Sequence, residues 1–474
     1  MARYFKFKSA EEMAAEAVAL GGWLPITSDF SSLFQPITVG TLSIGNRFCI
    51  QPMEGCDGTL EGSPDELTYR RFRRFGAGGA KLIWGEATAI DADARMNPRQ
   101  LWLHDGSASA IESMLRGCRE AHREVFGNEE GLAVGLQLTH SGRYCFRRPQ
   151  IAMHDPLVDP LTIDKSTGRI VDDSFPLLSD DDLKRIEDQY VAAARLAAKV
   201  GCDFIDIKQC HRYLLSEMLA ATTRPGEYGG SLENRTRLVR GIIQRIHSEV
   251  PSLVIASRLN VYDGIPFRAG PDSIGKPITH QLPIRTSFGV DSQDYSRVDL
   301  AEPIQVAKWL VEWGVSLINV TAGNPYGNPH VLRPAEFPPV DGYRAPEHPL
   351  LGVLRHFDAT AVIQGAIPDV PVIGSGYSWL QDFAMHAAAG NRVAGRCSLV
   401  GLGRATLSQP DFVRQLMEHG QLNRKTTCRT FSYCTNLMRF KDHPLGQTAT
   451  GCPPFDKEVY GPIWKEVLEK RNTK

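Results

Sequence analysis

The sequence predicts an α/β fold, a (β/α)8 TIM barrel, and three observations carry that prediction. Eight short apolar or β-branched runs recur along the chain. Helical periodicity follows most of them. No run is followed by G-x-G-x-x-G, which disfavours a doubly wound sheet. Continuous apolar strands alternating with helices imply a parallel sheet covered by helices, and eight units match a closed barrel.

The strand-like runs are residues 47–51, 81–85, 133–138, 203–208, 253–259, 316–321, 370–374 and 397–401. Helical patterns span 64–75, 108–125, 180–200, 232–250, 303–314, 379–389 and 410–419. Residues 1–32 read as an N-terminal extension, 33–420 as the barrel and 421–474 as a C-terminal extension. Residues 142–180, rich in Pro and Asp, form a long loop after the third strand. Residues 262–300, rich in Gly, Pro and Ser, form another after the fifth. Both are expected on the barrel's C-terminal face, where long loops shape substrate access.

Composition narrows the function class. The chain has 474 residues, 53 basic and 54 acidic, for a net charge of -1. That balance gives no reason to expect nucleic acid or a polybasic membrane anchor. No run of about 18 apolar residues offers a membrane span. Lys6, Lys8, Glu11, Glu12 and Glu16 interrupt the N-terminal apolar stretch, so it reads as an amphipathic helix rather than a secretory signal. Ten scattered cysteines do not make a disulfide scaffold, and a reducing cytoplasm is the expected location. A homo-oligomer is compatible with all of this.

Barrel chemistry belongs at the strand C-terminal ends. The first strand leads into Pro52-Met53-Glu54, and the second into Glu86-Ala87. The third carries Gln137 and His140. The fourth runs into Lys208, His211, Arg212 and Tyr213. The fifth ends in Arg258 and the sixth in Thr321-Ala322-Gly323. Gly374-Ser375-Gly376 and Gly401-Leu402-Gly403-Arg404 follow the seventh and eighth. Small residues let backbone N–H groups approach an anion, and Arg404 adds charge-assisted bonds. The last two loops therefore read as a phosphate site. His140, Cys210 and His211 show no metal-ligand spacing, so no metal is expected.

Gln137-Leu138-Thr139-His140-Ser141-Gly142-Arg143 resembles the Q-L-x-H-x-G-R motif of the Old Yellow Enzyme family, the FMN-dependent NAD(P)H:enoate reductases. Gly229-Gly230-Ser231-Leu232-Glu233-Asn234-Arg235 is similar to a second family signature. Asn46-Arg47 through Pro52-Met53 resembles its first strand, and Gly403-Arg404 its phosphate site. The resemblance covers about residues 33–420. It implies FMN across the barrel mouth, with NADH or NADPH as reductant. Pro52 and Met53 would line the flavin face, with Ala87 near the pyrimidine edge. Gln137 would hydrogen-bond the ring, and Arg258 would offset negative charge on it. Ser375, Gly376, Gly403 and Arg404 would hold the phosphate. The substrate would be a small molecule with a carbonyl or carboxylate, reduced at an activated C=C bond by ping-pong hydride transfer.

The sequence departs from the family at two places. The family's His–His or His–Asn pair reads Lys208–His211 here, while Tyr213, the implied proton donor, is kept. Glu54 stands where the family has Thr or Cys, and is either a charge beside the flavin or an ion-pair partner for Lys208. These departures mark an atypical branch. They leave flavin-dependent oxidation, demethylation or isomerisation as an alternative, and a Schiff-base lyase using Lys208 as a distant one. Lys208, His211, Arg212 and Arg258 outnumber Glu54 near the mouth, which suits an anionic or polar substrate. Cys428, Cys434 and Cys452 resemble a cluster-binding region of larger family members. Three scattered thiols fall short of the four a cluster needs, so no iron–sulfur cluster is expected.

Overall fold

A computed structural model describes residues 4–472. Eight parallel strands close into a barrel in chain order. They are β1 (Phe48–Ile50), β2 (Leu82–Ala89), β3 (Ala133–Thr139), β4 (Phe204–Ile207), β5 (Val254–Asn260), β6 (Val315–Thr321), β7 (Val372–Gly374) and β8 (Leu399–Leu402). The principal helices between and after them are α1 (Glu66–Gly76), α2 (Asp105–Phe126), α3 (Asp180–Lys199), α4 (Arg237–Glu249), α5 (Ala301–Glu312), α6 (Pro349–Ala366), α7 (Ala384–Val393) and α8 (Phe412–His419).

The strands are buried on both faces, so they read as apolar runs rather than alternating ones. Side chains pointing inward form a separate core of Cys49, Leu82, Trp84, Ala133, Phe204, Val254, Ala256, Leu317, Ile373 and Leu399. The Trp84 and Phe204 rings meet edge to face, with centroids 5.2 Å apart. A hairpin of residues Ile37–Val39 and Leu42–Ile44 adds Val39 and Ile44 to this core. Side chains pointing outward, such as Phe48, Ile83 and Ile205, pack in the larger core that includes the surrounding helices.

Two elements differ from their sequence readings. Helix α6 follows β6, where no helical pattern was legible. It buries Leu350, Val353, Leu354, Phe357, Ala359 and Ile363 together with Gly352, His356, Thr360 and Gln364. A helix buried around most of its girth lacks the polar stripe that periodicity detects. Strand β2 runs on to Ala89 rather than ending at residue 85. Its pairing with β3 shifts register between Trp84 and Ala87. The irregularity passes through Gly85, where a Cβ would lie 2.4 Å from the Gly135 carbonyl oxygen.

Candidate active site

A cavity of about 690 Å³ opens at the strand C-terminal ends, within the size range of small-ligand sites. Every candidate residue lines it: Pro52, Met53 and Glu54 after β1, Ala87 on β2, Gln137 on β3, Lys208, His211 and Tyr213 after β4, and Arg258 on β5. Ser375 and Gly376 after β7, and Gly403 and Arg404 after β8, complete the set.

The floor is a hydrogen-bonded layer. Gln137 and Asp206 are register partners on β3 and β4. Gln137 Nε2 donates to Asp206 Oδ2 (2.5 Å), which also accepts from Trp84 Nε1 (2.8 Å). The other oxygen of Asp206 accepts the Arg258 backbone N–H (2.7 Å). Burial pushes the Asp206 carboxyl up to about 6, against the pull of these donors. The carboxylate commits the Gln137 amide as donor downward, which leaves its carbonyl oxygen as acceptor. On the far side, Gln51 Nε2 donates to Asn319 Oδ1 and Ser375 Oγ, both at 3.0 Å. That bond holds the Ser375 hydroxyl in place.

The β4 loop carries the least relaxed backbone. His211 and Arg212 occupy the left-handed region in succession, at φ 67° and 59°, which side chains other than glycine disfavour. Arg212 anchors the bend. Its guanidinium pairs with Asp155 and with Asp263 (3.0 Å) and donates to the Thr286 carbonyl (2.9 Å). Arg212 is therefore turned away from the cavity. The expectation that it adds charge to the mouth is corrected, because two buried carboxylates already engage it. His211 faces the cavity. Burial, then the charges of Lys208 and Arg258, hold its imidazole well below the usual 6.5, so it is neutral near pH 7.

Lys208 is buried at 3% exposure, and its Nζ lies 3.6 Å from the centroid of the Tyr213 ring. Among the described residues no ion pair within 4.0 Å joins it to Glu54. Glu54 instead accepts from Asn97 Nδ2 (2.6 Å). Burial raises the Glu54 carboxyl, while the Lys208 charge and the Asn97 bond oppose the rise. Below it, Arg71 bridges Asp57 and Glu86 at 2.5 Å each. Glu86 in turn accepts the Gly55 N–H (3.1 Å). A Cβ at Gly55 would fall 2.0 Å from Arg71 Nη1, so glycine is needed for this close approach.

Among the described residues several cavity-facing polar atoms are buried with no partner: Arg258 Nε, His211 Nε2 and Arg404 Nη1. Such atoms mark places where a ligand completes the hydrogen bonding. Arg333, missed by the sequence reading, lies near Arg404 and Arg439. Burial and those two guanidiniums push its pKa down. An anion among them would relieve the repulsion.

A profile of the NADH:flavin oxidoreductase / NADH oxidase family matches residues 32–316, more than half of the chain. The chain belongs to that family, the Old Yellow Enzyme family. It is an FMN-dependent NAD(P)H oxidoreductase. The NADPH dehydrogenase of Halalkalibacterium halodurans is 27% identical over 333 residues, 68% of this chain and 80% of that one. That of Bacillus subtilis is 28% identical over 302 residues, 61% and 73% of the two chains. Among solved structures, the old yellow enzyme homologue from Zymomonas mobilis is similar at a TM-score of 0.58 and 21% identity, covering 83% of this chain and 94% of that one. A 2-naphthoyl-CoA reductase complex is similar at 0.66 and 16%, covering 92% and 58%.

In this Old Yellow Enzyme family member Gln137 of the first motif lines the cavity, while His140, Gly142 and Arg143 of that motif and Arg235 of the second hold the loops in place. Arg143 is fully buried between Glu217 (2.8 Å) and Asp159 (2.5 Å) and pins the long β3 loop. Gly142 sits at φ 56°, where a Cβ would lie 2.8 Å from the Leu214 nitrogen. Buried His140 accepts the Gly142 N–H (3.1 Å) and is held down to about 4 by burial. Arg235 ties the β4 loop to Glu302 of α5 (3.0 Å) and to the Leu219 carbonyl.

Sequence reasoning missed Asp206, Asn97, Tyr326, Arg333 and the wall supplied by the C-terminal extension. Thr435, Met438, Arg439 and Lys441 of that extension line the cavity. Thr435 Oγ1 accepts from Arg333 (2.6 Å), and Arg439 pairs with Asp341 (2.6 Å). Cys428, Cys434 and Cys452 are half-buried free thiols. Among the described residues no group of three or more His, Cys, Asp or Glu could hold a metal, and no helix could cross a membrane.

Proposed function

We propose that this flavin oxidoreductase reduces the activated C=C bond of an α,β-unsaturated carbonyl compound, with Lys208 and His211 replacing the family's usual pair at the carbonyl oxygen. The convergence of all the candidate side chains on one cavity carries this reading. The residues present fit FMN. The unpartnered Arg404 and Arg258 atoms suit a phosphate and an electron-rich ring edge, and the Gln137 carbonyl suits a ring N–H. Pro52, Met53, Glu54 and Ala87 would line the ring, and Ser375, Gly376, Gly403 and Arg404 would hold the phosphate. Bound FMN supplies two-electron hydride transfer between the nicotinamide and the second substrate.

The chain's own residues supply the rest. Lys208 and His211 donate to the substrate carbonyl oxygen as negative charge grows on it. One preorganised donor of this kind is commonly worth about 3–4 kcal/mol. Tyr213 delivers the proton to the α-carbon. Arg258 offsets charge on the reduced ring. The spectrum of the purified protein, followed by anaerobic titration with NADH and NADPH, tests flavin loading and reduction. Reoxidation is then screened with electron-poor alkenes. A flavin reduced by nicotinamide but reoxidised by no alkene would reject C=C reduction and favour oxidation, demethylation or isomerisation on the same scaffold.

One observation favours an anionic substrate. Lys165, Arg268, Arg333, Arg439 and Lys441 also line the cavity, against Glu54 and Asp341 as the carboxylates among its described lining residues. The structurally similar reductase bound to 2-naphthoyl-CoA makes an acyl thioester of an anionic carrier a second reading. Comparing KM for a neutral enone and a polyanionic one, at low and high salt, separates the two.

A further inference from the structure

The Tyr213 hydroxyl is in a buried side chain, 3% exposed, and lies 2.9 Å from the hydroxyl of Tyr326. Tyr326 stands on the loop after β6 and keeps 38% of its surface exposed. The two rings are within 10° of parallel, with centroids 6.5 Å apart, so they meet through their hydroxyls rather than by face contact. Tyr326 is held on several sides. Its N–H donates to Asn324 Oδ1 (2.8 Å), and its ring lies 4.1 Å from that of Tyr144. Asn324 Nδ2 donates to the Tyr144 hydroxyl (2.9 Å), and Asn328 Oδ1 accepts the Asn324 N–H (2.6 Å).

We propose that Tyr326 is a proton relay that recharges Tyr213 after each turnover. The inference rests on the reading of Tyr213 as proton donor to the substrate carbon. When that carbon takes the proton, the Tyr213 O–H bond breaks and leaves a phenolate. A buried anion is costly, so it must regain a proton before the next cycle. The Tyr326 O–H then breaks as the Tyr213 O–H forms. Water or a buffer acid protonates the Tyr326 oxygen and leaves as hydroxide or buffer base. Only protons move, and the sum is one proton delivered from solvent to carbon. Tyr326 suits the role because its hydroxyl touches the donor and its partly exposed side chain lines the open cavity through which water or a buffer acid can approach.

The test separates the first turnover from the later ones. Holoenzyme reduced with one equivalent of NADPH is mixed with cyclohexenone, and the first turnover is compared with steady-state turnover. Tyr326→Phe should keep the first turnover close to wild type and slow the steady state by about tenfold or more, as loss of a general acid does. Raising the imidazole buffer concentration should restore the steady state of the variant and leave wild type unchanged. Tyr213→Phe should slow the first turnover itself. If it does not, the donor reading falls and the relay with it. If it does, while Tyr326→Phe slows neither phase or slows both equally, the relay alone is overturned. A second readout needs no flavin. A fluorotyrosine at position 326 of the flavin-free protein should change its fluorine resonance when Tyr213 becomes Phe. An unchanged resonance removes the hydroxyl contact on which the relay depends.

Discussion

The ammonium of Lys208 sits 3.6 Å from the centre of the Tyr213 ring, so two of the proposed catalytic side chains are in direct contact. A desolvated contact of this kind is worth about 2 kcal/mol and fixes both groups at once. Lys208→Met, which has no N–H to donate, should therefore damage the half-reaction that needs an oxyanion donor. Stopped-flow reoxidation by an enone should slow by about 10²–10³-fold, the effect of losing one such donor. Reduction by NADPH should change much less. Equal loss in both half-reactions would reduce Lys208 to a scaffold residue.

Arg404 and Arg258 are expected to bind different parts of the cofactor. Arg404→Met should weaken FMN by about a hundredfold, the scale of a charge-assisted phosphate contact of roughly 3 kcal/mol. It should leave riboflavin, which has no phosphate, nearly unaffected. Fluorescence titration of flavin-free protein with both ligands decides the matter. A parallel loss for both would place the phosphate elsewhere.

Asp206 governs the floor through Gln137. Asp206→Asn leaves one acceptor oxygen for three donors, so the amide NH2 faces either the Arg258 N–H or the Gln137 and Trp84 donors, and the layer that orients Gln137 loses a bond in both cases. FMN affinity should fall by at least about tenfold, or 1.4 kcal/mol. Stability carries a second signature. The folded protein binds the Asp206 proton more tightly than the unfolded chain, because burial raises this carboxyl from 3.8 to about 6. Its contribution is fully present below about pH 4 and is lost as pH rises through about 6. Denaturant melts of flavin-free wild type should therefore show a downward component over that window that Asp206→Asn lacks. Identical pH slopes would mean that Asp206 is not raised.

His211 gives a prediction of opposite sign. Its folded value lies well below 6.5, so it stays neutral from about pH 6 to 8 while an unperturbed histidine would titrate. The rate of enone-driven reoxidation should show no step assignable to His211 in that range. A step near pH 6.5 in wild type that disappears in His211→Asn would contradict the neutral donor.

Much of the site was legible because of barrel geometry. Parallel strands buried on both faces are continuous apolar runs, and their ends converge on one face wherever the barrel closes. The residues at the C-terminal end of each run therefore included Gln137, Lys208, Arg258 and Arg404, without any knowledge of contacts. The same logic misjudged Arg212. Its position beside His211 was visible, but its partners Asp155 and Asp263 lie 57 and 51 residues away on other loops. Glu54 was ambiguous for the same reason. Only the path of the chain after β2 brings Asn97 to it and leaves Lys208 to the Tyr213 ring.

The amino-acid sequence by itself determined the strand count, the order of the strand-end residues and the family, because these depend on local apolar runs and contiguous motifs. Tertiary structure alone decided which groups touch. Asp206 beneath Gln137 depends on the β3–β4 register, and Tyr326 beside Tyr213 on where the β6 loop crosses the mouth. The C-terminal extension became a wall of the site only because Thr435 and Arg439 dock on the β6 loop. Register and docking are set by packing among segments distant in sequence, so no local pattern encodes them.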